Sequence, residues 1–186
     1  MRQLPFAGAC ASLVTVILLE ESAPLESVLA KMWQNIQSIK ELIATIANNP
    51  QIEKPHFEEL LNQLRYESEQ LSSSYGESGA ASPIAVREAA HDAKGLVVTT
   101  LGRLNLLSHE MKDQPSIIFG GNLINELLDK RAKLTACQQA LASERSDLRM
   151  KNLQRYLDML VPQRTHDAAS ITKLQNGSDI GPRKQR

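Results

Sequence analysis

The sequence is poor in what a β-rich core needs. Only 4% of its residues are aromatic and only nine are glycine, whereas sheets draw on aromatic and β-branched side chains and on frequent glycine turns. The shortage argues for aliphatic helix packing, and hydrophobic residues at 42% supply enough material for a core. Cysteine is scarce too: Cys10 lies in an apolar N-terminal stretch and Cys137 far along the chain, and there is no third. That count excludes a disulfide framework, and the pair lacks zinc-like spacing. Nor is there an excess of charge of either sign. Basic and acidic residues number 21 each, so no global field draws the chain to nucleic acid and no net repulsion keeps copies apart. With 186 residues, one helical domain with loose ends is expected, not two cores.

Signs of chemistry are equally sparse. Four histidines are scattered at His56, His91, His109 and His166. The nearest approach to a metal motif is His109-Glu110-Met111-Lys112-Asp113, which has aspartate where an HExxH helix needs its second histidine. Pro115 cuts the helix there, and no third ligand is evident. Gly120-Gly121 lacks the lysine and spacing of a phosphate loop, and the serines at 72–74 and 78 have no nucleophile-elbow context. No basic region precedes the later leucine repeat, since residues 100–126 hold only Arg103 and Lys112, which removes the zipper-type DNA binder. The expectation is a protein without catalytic residues, cofactor or metal.

What is present is helical periodicity. Leu25, Leu29, Met32, Ile36, Ile39, Ile43 and Ile46 alternate spacings of four and three, a heptad seam that places all seven on one face. Pro24 is expected to open this helix, as proline is tolerated in a first turn. Lys31, Gln34, Gln37, Lys40 and Glu41 should form its wet side, and Asn48-Asn49-Pro50 should end it. A second helix is predicted from Pro55 to about Leu71, with Phe57, Leu60, Leu61, Leu64 and Leu71 on one side. Residues 72–83, SSSYGESGAASP, read as a flexible linker. A third helix follows Pro83 through Val86, Ala90, Ala93, Val97, Leu101 and Leu104. Its Val97-Val98-Thr99-Thr100 is locally strand-like but has no visible partner, and is read as helix interior. SIIFGGN reads as a turn.

The last helix should start near Asn122 and run to about Leu160. Leu127, Leu134, Leu141 and Leu148 recur every seven residues, but Arg131, Gln138, Arg145 and Asn152 occupy the intermediate seam positions, which suits a tight two-stranded zipper poorly. Leu153, Tyr156, Leu157 and Leu160 then widen the apolar face. From residue 162 to 186 a disordered polar tail is expected. It carries the sequon Asn176-Gly177-Ser178 and a basic end. The predicted organisation is thus an apolar N-terminal segment at 1–23, a helical hairpin at 24–71, the linker, a second hairpin at 84–161 and the tail. The fold class is all-α, a bundle of about four to five helices.

Ahead of these helices the run LPFAGACASLVTVILL, residues 4–19, is uncharged. It resembles a signal-peptide core, is short for a membrane span, and equally suits a helix buried in the fold. The layout of an apolar N-terminal helix, a polar middle and a long C-terminal helix resembles that of bacterial secretion-system proteins, both type III filament or tip proteins and type IV minor pilus subunits. The resemblance is one of arrangement over residues 4–160. It implies a non-enzymatic helical interaction protein, a secreted or envelope subunit of an assembly. A membrane-anchored helical protein held by residues 4–19 and an intracellular adaptor or chaperone are the alternatives. Association with a protein partner, or with another copy, is expected through helices, with Trp33, Leu127, Leu134, Leu141 and Leu148 as the candidate contact residues. Trp33 stands beside the first seam and can equally close the edge of the core.

Overall fold

The computed structural model describes the backbone of residues 7–79 and 82–176, and the side chains of residues 25–79 and 82–161. Its elements are helix α1 (Ala7–Ala47), strand β1 (Gln51–Glu53), α2 (Lys54–Ser78), α3 (Ile84–Glu110), β2 (Ser116–Ile118) and α4 (Gly121–Asn176). The chain divides into two compact units, Met1–Leu148 and Arg149–Arg186. The first holds the core. The second comprises, among the described residues, the later part of α4.

Within the first unit, side-chain bonds give the helix directions. Lys31 Nζ meets Glu77 Oε2 at 3.3 Å and Asn35 Nδ2 donates to Glu67 Oε2 at 2.9 Å, so α1 and α2 run antiparallel. Lys130 with Thr99, and Arg103 with Glu126, set α3 against α4 in the same way. Gln138 reaches back to Trp33 and Gln37, which closes α4 onto α1. The result is an all-α, up-and-down four-helix bundle with one small sheet. From Leu29 to Ile46 the α1 seam is buried, opposite Phe57, Leu60, Leu61, Leu64 and Leu71 of α2, Val86, Ala90, Ala93, Val97 and Leu104 of α3, and Leu127, Leu134 and Leu141 of α4. Full burial of each such aliphatic side chain is worth about 1.5–3 kcal/mol before entropy is charged against it.

The sheet is the element that helical periodicity does not show. β1 and β2 pair antiparallel with Ile52 opposite Ile117, and both side chains are buried. The two helix-breaking prolines bracket the pairing. Phe119 N–H donates to the Pro50 carbonyl at 2.9 Å, and Lys54 N–H donates to the Pro115 carbonyl at 3.0 Å. Proline lacks an N–H but keeps its acceptor, so it serves at the end of a ladder where it would damage the middle. Behind the strands Phe57 and Phe119 meet edge to face, with ring centroids 5.6 Å apart. This clip ties the α1–α2 turn to the α3–α4 turn. SIIFGGN is therefore a strand and an N-terminal turn together, with Gly120 accepting from Leu123 and Ile124 N–H groups at the start of α4.

Three boundaries differ from expectation. Helix α1 passes through Pro24 instead of opening there; a proline inside a helix forfeits one backbone bond and can bend the helix without ending it. Helix α2 continues through the serines to Ser78, so the residues read as a linker from 72 onward are largely helical. Its seam simply goes on in small polar residues: Ser68 and Ser74 are buried in step with Leu64 and Leu71. The helix stops at Gly79, whose φ of 68° is the left-handed conformation that glycine adopts without a Cβ clash. Helix α4 runs on to Asn176, past residue 162 where a disordered tail was expected to begin; the rest of that tail, 177–186, lies outside the described residues. Val97–Thr100 is helix interior, and the buried Thr100 hydroxyl is satisfied by the Leu96 carbonyl at 2.8 Å.

The side chains of the uncharged N-terminal run, residues 4–19, also lie outside the described residues. Among the described residues no helix is long and apolar enough to cross a membrane.

Candidate interaction surfaces

The leucine repeat of α4 is spent on the bundle itself. Leu127, Leu134 and Leu141 are buried in the core of their own chain, and Leu148 is half-buried where the first unit ends. The first three, expected as contact residues, lie instead in the interior of the first unit. Trp33 remains at the surface, 36% exposed. Its backbone carbonyl accepts a 3.2 Å hydrogen bond from Gln138 Nε2, which anchors the α1 turn that carries the ring.

Two polar residues of the α4 seam, Gln138 and Arg145, have specific partners on α1. Gln138 is buried, and its amide oxygen accepts a 2.8 Å bond from Lys40 Nζ. Its amide nitrogen donates to the Gln37 Oε1 at 3.1 Å. Lys40, expected on the wet side of α1, is only 8% exposed. The physical reason is that α1 is covered along two lines, by α2 on its aliphatic seam and by α4 beside it, so the residue after Ile39 is enclosed as well. Loss of hydration lowers the Lys40 pKa, and the nearby Arg131 guanidinium lowers it further against the opposing pull of Glu41. Further along, Arg145 Nε stands 3.7 Å from Glu26 Oε1. Two of the polar positions that weaken α4 as a zipper, Gln138 and Arg145, thus have partners on α1.

Cys137, next to Gln138, is a buried free thiol. Burial raises its pKa and the Asp92 carboxylate adds to the shift, so the side chain is kept as a thiol, the poor nucleophile. His109, Glu110 and Asp113 are all exposed, and among the described residues no three His, Cys, Asp or Glu side chains come together as a metal site.

The second unit carries a run of exposed apolar residues. Met150, Leu153, Tyr156, Leu157 and Val161 lie between 45% and 63% exposed. Their spacings of three and four place them on one broad helical stripe. Its surroundings carry both signs of charge, Arg149, Lys151 and Arg155 with Asp158, and Asp158 accepts from Gln154 at 2.7 Å.

Compared with models of protein families, with curated proteins and with solved structures, the chain matches none of them.

Proposed function

We propose that this chain is a non-enzymatic helical interaction protein, a subunit of an assembly in which the later part of α4 packs against another copy of itself. The observation that carries this reading is the exposed stripe from Met150 to Val161. A single helix of this length has little stability in water on its own and gains it by burying an amphipathic face. A second copy suits the stripe because it offers the same aliphatic face and charges of both signs beside it. The chain's balance of 21 basic and 21 acidic residues also leaves no net repulsion between copies. The setting we propose is an assembly at or beyond a bacterial cell envelope, on the strength of the uncharged run at residues 4–19 and the arrangement of the helices.

The test is the solution mass of the full chain by light scattering across a concentration series, beside Leu153→Glu/Leu157→Glu. A multimer that the double substitution converts to a folded monomer supports the reading. A wild-type chain that stays monomeric throughout overturns it.

A further inference from the structure

On the outer side of the first hairpin, α1 and α2 leave a groove of about 1030 Å³. Its α1 wall runs from Ser38 to Thr45 and its α2 wall from Pro55 to Glu67. At 1.5 Å rise per residue these walls span roughly 10 and 18 Å, two to three turns of helix. Leu42 and Leu60 contribute the apolar floor, and Tyr66, 59% exposed, stands at the side.

The charge on the rim is of one sign. Glu41, Glu58, Glu59 and Glu67 line the groove, with no lysine or arginine among its lining residues. Their bonds leave this charge uncancelled: Glu67 accepts from the neutral Asn35 amide at 2.9 Å and Glu41 from the Gln37 amide at 2.7 Å. Glu59 has only the side chain of His56, 3.5 Å away and exposed. Arg65, the guanidinium nearest along α2, bonds Asn62 and the Asn105 side chain of α3. In a chain of zero net charge, four carboxylates around an apolar floor, with no lysine or arginine among the lining residues, form a local field with a defined shape.

We infer that this groove binds an amphipathic partner helix with lysine or arginine along its flanks and aliphatic side chains on its inner face. The aliphatic side chains would lie over Leu42 and Leu60 beside Tyr66, the third ridge that a two-helix groove accepts. The flanking cations would meet the four carboxylates, setting orientation and rate of encounter more than final affinity. The inference extends the interaction reading to a second surface with a partner of different chemistry. It rests on residues other than those of the α4 stripe, so each can fail without the other.

The experiment uses the full chain and a fluorescein-labelled Leu/Lys amphipathic peptide of about 18 residues, some five turns of helix. A Leu/Glu peptide of the same pattern is the control. Anisotropy titrations at low salt compare wild type with Glu41→Gln/Glu58→Gln/Glu59→Gln/Glu67→Gln. An equally neutralised control chain carries Glu88→Gln/Glu110→Gln/Asp113→Asn/Asp129→Asn. The expected result is binding of the Leu/Lys peptide that weakens roughly tenfold or more in the groove variant and little in the control chain. Failure of the Leu/Lys peptide to bind, equal loss in both variants, or equal binding of the Leu/Glu peptide overturns the inference. A photo-reactive group in the peptide gives a reading on wild type that needs no variant to fold. Cross-links within residues 38–45 or 55–67 support the groove, and cross-links confined to 149–161 or to other surfaces overturn it.

Discussion

Lys40 donates its buried ammonium to the amide oxygen of Gln138 at 2.8 Å, across the interface of α1 and α4. A lysine held away from water is costly unless its protons are bonded. Gln138 answers that need and is itself tied by its nitrogen to the Gln37 side chain and the Trp33 carbonyl. The pair therefore fixes the register of α4 on α1, because a shift of one residue strands the cation.

Gln138→Leu removes the acceptor and leaves the ammonium buried. We expect a loss of about 1.5–3 kcal/mol, the range for a hydrogen bond to a charged group. Lys40→Met/Gln138→Leu removes both demands and should recover most of the loss. Urea denaturation of the two variants and wild type checks this. A double variant as unstable as the single one would show that the pair contributes by its shape and not by matched polarity.

The pH dependence has two opposing sources. Burial depresses the folded-state pKa of Lys40 below 10.5, so between the folded value and 10.5 the unfolded chain holds more protons and stability rises with pH. Cys137 acts in the opposite sense: its folded pKa is raised above 9.0, so its contribution is present below 9.0 and is lost as pH rises through the folded value. Lys40→Met should therefore lose stability relative to wild type as pH approaches 10.5. Cys137→Ala, by the same comparison, should recover ground above pH 9.0. Thermal melts from neutral to alkaline pH read both differences. Parallel curves for all three chains would contradict the assigned causes.

Ile36 and Ile39 are fully enclosed in the α1 seam. Aspartate at either position buries a charge in a closed aliphatic seam, a cost of several kcal/mol against a domain stability of about 5–15 kcal/mol. Each single variant is expected to lose most of its helical circular dichroism signal. A normal melting curve for both would mean the seam is not core.

The clip can be probed at Ile117, which has no exposed surface. Ile117→Ala should cost about 2–5 kcal/mol, as large-to-small changes in a closed core do. Ile118→Ala, on the outer face of the same strand, should cost well under about 1 kcal/mol. Equal effects at the two positions would argue that the strand contributes through its backbone alone.

Much of this architecture is readable where burial follows a simple period. The seven α1 seam residues stand at regular spacings, and Leu29 to Ile46 are enclosed as that spacing implies. The reading fails where a residue's surroundings come from a distant segment. Lys40 looks like a surface lysine until α4 lies over it. Ser74 looks like linker composition until its alignment with Leu64, Ser68 and Leu71 is followed as one helical face. β1 and β2 are three residues each, too short for alternation to declare itself, and each is a strand only because the other is present. Of the candidate contact residues, Trp33 stays at the surface, Leu148 is half-buried, and Leu127, Leu134 and Leu141 are enclosed. Their heptad spacing could not say whether the seam closes within a chain or between chains. The groove carboxylates were hidden for a related reason: they come from two helices, and no local run of acidic residues announces them.

The clip also bears on the order in which the molecule assembles. Every helix can begin from contacts between close neighbours in sequence, but β1 and β2 join turns separated by all of α2 and α3. Closing so long a loop costs entropy that only the finished pairing repays. In pulsed hydrogen exchange during refolding, the Lys54 and Phe119 amides that bond the two proline carbonyls should gain protection after those in the interiors of α2 and α3. The bundle would then be latched last, by the two residues that ended its helices.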